Sequence, residues 1–390
     1  MTFAPAKRLR IAVLNRVFAA TGGGAERYSI ALVEQLAPQH EIHVFAQGIT
    51  HAWPGVTYHR ISMPLAKPRW LNQLWYAAAT WWQTRRGFDI VHSHENTWHG
   101  NVQTLHVKTV RRSVLGARSG LRWFAARLKV AFSPRLGAYL LLEWARLRLR
   151  PDRAVVAVSQ TLLQEVLEEY PATRSMLQVI TPGVDIPARI ATKKEARHAL
   201  STGAEGQIVL FVANDYQRKG LDVLLQAMTR LPTEVRLLVV GSSTQMGTYR
   251  DVARAMGLGD RVEFLGPQQD MQMAYACADV LAHPTLEDSF GMVVLEAMAY
   301  GLPVVVSGAR YCGVAASLRQ ENNAMLLDDP KNSDDVRVAL HRILTDKALA
   351  DTLIANGADV VRMHTWQQAA MAYDGLYHGL ASAAMGRPLP

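Results

Sequence analysis

The stretch from Asp279 to Gly308, DVLAHPTLEDSFGMVVLEAMAYGLPVVVSG, constrains this chain most, because it spells a complete strand-loop-helix-strand unit. Val280, Leu281 and Ala282 make a short apolar strand, Pro284 opens a turn, and Glu287 and Asp288 place two carboxylates in the loop. Phe290, Gly291 and Met292 lead into a helix that Gly301-Leu302-Pro303 ends, since a glycine and a proline so placed stop a helix, and Val304 to Val306 begin the next strand. Gly291 has no Cβ and lets backbone approach a ligand. The first-turn amides after it point at the loop, where the helix dipole favours an anion. Glu296 stands inside the helix, eight positions after Asp288. A ligand between them meets backbone donors at one end and a carboxylate suited to sugar hydroxyls at the other.

The same alternation runs along the rest of the chain. In the first half, strand 10–14 is followed by the loop Thr21-Gly22-Gly23-Gly24-Ala25-Glu26, a helix from about Ala25 to Leu36, and strand 41–45. Further strands read at Asp89 to His92, Val102 to Leu105, Ala154 to Val158 and the run ending at Thr181-Pro182-Gly183. Residues 186–206 are charged and small, and read as a linker. Beyond it come strands 208–212, 235–240 and 261–265, a polar loop 214–220, a helix 221–231 and late helices over 333–356. Strands alternating with helices give an α/β fold with parallel sheets. The expectation is two Rossmann-like, doubly wound domains facing each other across a cleft: residues 1–185, residues 186–365, and a final helix and tail, 366–390, returning to the first domain. Such sheets bind ligands at the carboxyl ends of their strands.

A length of 390 residues suits two cores, and 49% hydrophobic with 19% charged residues is a globular mix. Two cysteines, Cys277 and Cys312, make no disulfide framework and point to a reducing, cytoplasmic compartment. The apolar run after Lys7, Arg8 and Arg10 stops at Asn15, too short for a signal core, and no run approaches the roughly 20 apolar residues that span a bilayer. The net charge of +9 asks for an anionic partner. Lys108, Arg111, Arg112, Arg118, Arg122, Arg127, Lys129, Arg135, Arg146, Arg148, Arg150 and Arg153 fall in a segment (about 108–153) whose acids are Glu143 and Asp152. It alternates cations with Leu121, Trp123, Phe124, Leu128, Phe132, Tyr139, Trp144 and Leu147, as two amphipathic helices split at Ser133-Pro134. Two readings stand: core-facing helices with solvated arginines, or a face that docks on an anionic membrane.

Three further groups bear on chemistry. In Asn214-Asp215-Tyr216-Gln217-Arg218-Lys219-Gly220 two cations sit at a strand-to-helix turn, where a diphosphate meets a guanidinium, an ammonium and helix amides together. Gly22 to Gly24 lack both the G-x-G-x-x-G spacing and a P-loop lysine, so a flexible turn and a phosphate cradle both remain open. His92, His94, His99 and His106 with Glu95 fit no familiar zinc spacing, and no Asp-x-Asp occurs to hold a metal-nucleotide pair, so no metal is expected. His106 closes a strand as a hydrogen-bonding group or as a structural histidine.

These pieces, in this order, resemble the family-4 retaining glycosyltransferases of the two-Rossmann-domain (GT-B) type. The likeness rests on Gly22-Gly-Gly-Ala-Glu26, Asp89-Ile-Val-His-Ser-His94, Val155-Val-Ala-Val-Ser159, Thr181-Pro-Gly-Val-Asp185, Arg218-Lys-Gly220 and His283-Pro284 through Glu296-Ala-Met to Gly301-Leu-Pro-Val304. It spans nearly the whole chain. Asn214 to Gly220, Ala278-Asp279, His283-Pro284 and Cys312-Gly313 are similar to the bacterial enzymes that add a hexose to the lipopolysaccharide core. The resemblance implies a nucleotide-diphosphate sugar as substrate with no cofactor or metal, and a glycan or glycolipid acceptor at the inner face of the cytoplasmic membrane. It also implies that Arg218 and Lys219 hold the diphosphate and Glu296 the ribose. Phe290, Gly291 and Met292 then cradle sugar and phosphate through backbone amides, with Gly23 and Gly24 opposite and His106 on the donor sugar. The family's paired glutamates have seven residues between them, and that frame begins here at Asp288, one methylene shorter, and not at Glu287. Ala213 replaces an arginine many relatives carry. The same fold also serves sugar-nucleotide epimerases and phosphorylases, and the charge alone would suit a nucleic-acid-binding protein, though no nucleic-acid module is present.

Overall fold

The structure is a computed structural model that describes residues 7–19, 23–116, 120–203, 206–268 and 270–385. Gly22 and Arg118 lie outside the described residues, as do the side chains of Leu121, Arg122 and Trp123. The chain divides into two compact units, residues 1–183 with 366–390, and residues 184–365. Val184 and Asp185 go with the second unit, where Val184 bridges to Thr365.

The first unit holds a parallel sheet of seven strands: β1 (Arg10–Leu14), β2 (Glu41–Ala46), β3 (Val56–Arg60), β4 (Ile90–Ser93), β5 (Val102–Leu105), β6 (Ala154–Ala157) and β7 (Leu177–Val179), in the order β3-β2-β1-β4-β5-β6-β7. Central strands of a parallel sheet are covered on both faces, so they are written as unbroken apolar runs: Ile11 to Leu14 are at most 3% exposed. The edge strand β3, Val-Thr-Tyr-His-Arg, is half exposed and carries no such run. The helix Trp366–Met385 packs on the helix Gly24–Leu36, and Tyr28, Tyr373 and Tyr377 are fully buried there.

The second unit repeats the winding with six parallel strands, β8 (Gln207–Val212), β9 (Val235–Val240), β10 (Val262–Gly266), β11 (Val280–His283), β12 (Val304–Ser307) and β13 (Met325–Leu327), ordered β10-β9-β8-β11-β12-β13. The helix Leu221–Met228 buries six of its eight residues, and its Leu, Val and Met side chains among them each stabilise by about 1.5–3 kcal/mol. In each unit the chain order reverses direction beside its first strand, between β1 and β4 and between β8 and β11. Those reversals leave crevices beyond the strands' carboxyl ends, where the loops collect.

Two expectations need correction. Residues 186–206 are not a plain linker: Lys193–Ala199 is a helix, started by a capping box in which Thr192 and Glu195 satisfy each other's backbone amides. Its Arg197 is buried and donates to Cys277 O, Gly206 O and Asp279 Oδ2, which ties the helix to the second unit. The basic segment does form helices split at Ser133, Gly120–Ala131 and Pro134–Leu147, behind a third, Val110–Leu115. Its cations are not all solvated. Arg146 is buried and donates to Gln103 Oε1 and Thr104 O, and Arg153 is buried against the carbonyls of Trp98, Gly100, Ala145 and Arg146. Lys108, Arg111 and Arg112 pair with Glu165, Glu168 and Glu169 of the next helix.

Candidate active site

In the second unit the loop after β8 and the loop after β11 are sewn together. Leu286 N donates to Arg218 O at 2.9 Å, and Lys219 Nζ donates to Glu287 O at 3.1 Å and meets Asp288 Oδ2 at 2.6 Å. Asp215 clips Arg218 in place, accepting its backbone N–H at 3.1 Å and lying 3.2 Å from its Nε, while the guanidinium stays half exposed. Gly220 and Gly291, both in the left-handed region (φ +84° and +95°), precede the helices Leu221–Met228 and Met292–Ala299. Neither helix has a side-chain N-cap, so its positive end has no built-in acceptor side chain.

The Asp288 to Gly291 turn rests on a second support, the loop after β12. Asp288 N donates to Tyr311 O at 2.7 Å, Gly313 N to Asp288 O at 3.1 Å, and Val314 N to Phe290 O at 2.6 Å. The buried Cys312 thiol sits under Gly291, and burial raises its pKa well above the usual thiol value, so it stays neutral. Asp288 accepts from Phe290 N at 3.3 Å and from His283 Nε2 at 3.1 Å as well as from Lys219. Burial works against its charge, but the His283 hydrogen bond and the Lys219 ammonium outweigh burial and hold the carboxyl below its ordinary range. Glu296, one turn into its helix, accepts from Tyr275 Oη at 2.5 Å. Arg218, Lys219, Asp288, Phe290, Gly291, Met292 and Glu296 thus all belong to the β8/β11 end of one sheet.

Gly23, Gly24 and His106 belong to the first unit. Gly23 caps the helix Gly24–Leu36 without a side-chain acceptor. His106 follows β5 and shares a 2.9 Å hydrogen bond with His94 Nδ1, the rings stacked at 5.2 Å. His92 lies 4.2 Å from His94, ring centroid to ring centroid and tilted, and is bonded to Tyr377 Oη and Thr104 Oγ1, both at 2.7 Å. Burial, with the Arg146 charge adding to it, lowers His106 to about 3, and burial with His106 and Arg146 does the same to His92. All three rings are therefore neutral near pH 7. His99 lies instead beside Trp98, the rings 5.8 Å apart and tilted by 59°, and Glu95 pairs with Arg16 at 3.0 Å.

Among the described residues the three ligand-type groups that close on one another are His40, Asp374 and His378. His40 Nε2 lies 2.8 Å from Asp374 Oδ1, and its Nδ1 accepts Leu9 N–H at 3.4 Å, which leaves the ring proton on Nε2 facing the carboxylate. This hydrogen bond clamps the helix Trp366–Met385 to the residue before β2. Sequence reasoning missed the parts played by His283, Asp215, Tyr275 and Arg146. His283-Pro284 was visible as a motif, but nothing local shows an imidazole meeting a carboxylate five residues on.

Two parallel Rossmann-like sheets, each with its polar loops gathered at the chain reversal, make this an α/β protein of the GT-B type. The chain carries the paired glycosyltransferase domains of that class: residues 22–187 match the family described as Glycosyltransferase Family 4, and residues 192–360 match Glycosyl transferases group 1. A D-inositol 3-phosphate glycosyltransferase of Xylanimonas cellulosilytica is 32% identical over 61% of this chain and 60% of its own length, so that likeness spans about three fifths of the relative. An uncharacterized glycosyltransferase of Methanocaldococcus jannaschii is 25% identical over 94% of this chain and 96% of its own length. The crystal structure of WaaG, a glycosyltransferase involved in lipopolysaccharide biosynthesis, superimposes with a TM-score of 0.81 over 95% of this chain and 100% of that one, at 19% identity.

Proposed function

We propose that this protein is a retaining hexosyltransferase that moves a sugar from a nucleotide diphosphate to a lipid-linked or cell-envelope glycan, the lipopolysaccharide core being the acceptor the motifs favour. The observation that carries this reading is the pair Arg218 and Lys219 on a loop anchored to the turn that holds Asp288 and Gly291. Glycosyl transfer passes through an oxocarbenium-like state while a diphosphate departs. A guanidinium, an ammonium and the uncapped amides of the Met292–Ala299 helix stabilise that departing charge, which is the dominant electrostatic task. The donor's phosphate oxygen takes the acceptor's proton on the face it leaves, so neither a protein nucleophile nor a metal is called for. Glu296 holds the ribose and Asp288 the sugar's hydroxyls.

No described helix is long and apolar enough to cross a membrane. Peripheral attachment is supported by the outer face of the basic helices, where Phe124, Phe132, Leu141 and Trp144 are more than half exposed beside exposed Lys129, Arg135, Arg148 and Arg150. Aromatic rings flanked by cations suit an anionic bilayer surface.

Release of nucleoside diphosphate from UDP-, GDP- and ADP-hexoses, measured with a lipopolysaccharide core acceptor and separately with inositol phosphate, tests the reading. Turnover with a core acceptor supports it, and turnover with inositol phosphate alone replaces the acceptor with that of the inositol-phosphate relatives. Arg218→Ala and Lys219→Ala are each expected to lower turnover at least a hundredfold with the fold intact. Near-normal turnover in either removes the diphosphate assignment.

A further inference from the structure

The ammonium of Lys219 and a ring N–H of His283 converge on one oxygen, Asp288 Oδ2, at 2.6 and 3.1 Å. Phe290 N–H holds the other carboxylate oxygen at 3.3 Å. His283 is 1% exposed, and its second ring nitrogen, Nδ1, is buried with no hydrogen-bond partner. Nε2 faces a carboxylate and so carries the proton, which leaves Nδ1 as a buried bare lone pair. An apolar side chain would fill the end of β11 without that penalty. The Nε2–H bond to Asp288 is what the imidazole supplies in return.

The consequence appears when the lysine is needed elsewhere, a step that rests on the donor reading above. Once Lys219 turns to a diphosphate, Asp288 loses the ammonium paired with it, and burial then favours its protonated form. The other ionisable groups close by are Glu287, which adds no positive charge, and the Cys312 thiol, which burial keeps neutral. The remaining donors are His283 Nε2–H and Phe290 N–H. We propose that His283 is a positioning residue, holding Asp288 in place and ionised while Lys219 leaves it for the diphosphate of the donor. Asp288 then remains an acceptor for a sugar hydroxyl, and nucleotide binding draws no proton.

Calorimetry of UDP, GDP and ADP binding between pH 5 and 8, in buffers of differing ionisation enthalpy, tests this directly. Relative to wild type, His283→Leu and His283→Phe are expected to take up about one extra proton per nucleotide bound at the acid end and to bind about tenfold more weakly at pH 7.5. His283→Gln, whose amide N–H reaches the same oxygen, is expected to restore wild-type behaviour. Wild-type proton uptake in folded His283→Leu, or a folded His283→Gln no better than His283→Leu, overturns the proposal. The wild-type chain gives an independent reading: the Asp288 carboxyl carbon, assigned by NMR against Asp288→Asn, stays ionised at pH 5 with nucleotide bound, and a titration above pH 5 overturns the proposal without any core variant. If none of the three nucleotides binds, the donor reading fails and takes this proposal with it. If they bind and Lys219→Ala weakens them, the donor reading stands whatever the His283 variants do.

Discussion

A Cβ on Gly220 would lie 2.0 Å from the carbonyl oxygen of Pro284, so the loops after β8 and β11 touch backbone to backbone. Gly220 is also in the left-handed region at φ +84°. Gly220→Ala therefore meets strain and a clash with an atom that cannot swing aside, and is expected to lose about 3 kcal/mol, or roughly 6–12 °C in thermal midpoint. Thermal unfolding within 1 kcal/mol of wild type would contradict the contact.

Gly291 presents a different obstacle, because its Cβ would meet the Cys312 sulfur at 2.6 Å, a side-chain atom. Gly291→Ala is expected to destabilise by about 2–3 kcal/mol, and Cys312→Ala in the same chain to return about 1 kcal/mol or more of it by removing the sulfur. The backbone strain at φ +95° stays in both. A double-mutant cycle in urea measures the coupling, and additive effects would show that the sulfur is not what Gly291 avoids.

The buried histidines set an acid limit. His99 has both ring nitrogens buried without partners, and burial, with Arg153 adding, lowers it to about 3. Its folded pKa lies below the unfolded value near 6.5, so below that pH the unfolded chain binds the proton and stability falls as pH drops from about 6.5 toward 3. Between pH 7.5 and 5 this one group should remove about 2 kcal/mol. His99→Leu is expected to cut the pH dependence of unfolding free energy by that amount, and an unchanged slope would place a charged histidine there.

The basic helices separate into two kinds of arginine. Replacing exposed Lys129, Arg135, Arg148 and Arg150 by Gln should leave stability within about 0.5 kcal/mol each, and weaken binding to anionic vesicles by two to three orders of magnitude at about 1 kcal/mol per cation. Arg146→Met should instead cost about 3 kcal/mol, because it strands Gln103 Oε1 and Thr104 O in the interior. Vesicle co-sedimentation paired with urea unfolding checks both, and a quadruple variant that still prefers anionic over neutral lipid refutes the docking face.

The central strands of both sheets were legible because central parallel strands are buried on both faces and read as short apolar runs, as in Ile11 to Leu14 and Val304 to Val306. Glycine turns and the Gly-Leu-Pro stop marked where helices began and ended. The edge strand Val56–Arg60 escaped because one exposed edge leaves no such run, the edge strand Met325–Leu327 because it is only three residues long, and Arg69–Thr84 because its helix is spelled with tryptophans, alanines and threonines. The helix at Lys193 was missed although its signal, Thr192 with Glu195 three residues on, stands in the sequence. Charge density hid it.

By itself the sequence determined the α/β class, the order of elements and the two cationic residues at a strand's end, since periodicity and turn chemistry act over a few residues. Only the tertiary structure decided that Lys219 meets Asp288, 69 positions away, that His283 holds the same carboxylate, and that Arg146 and Arg153 lie inside. Each of these depends on which strands become neighbours, and in a doubly wound sheet β8 meets β11 only after two other strands have been placed.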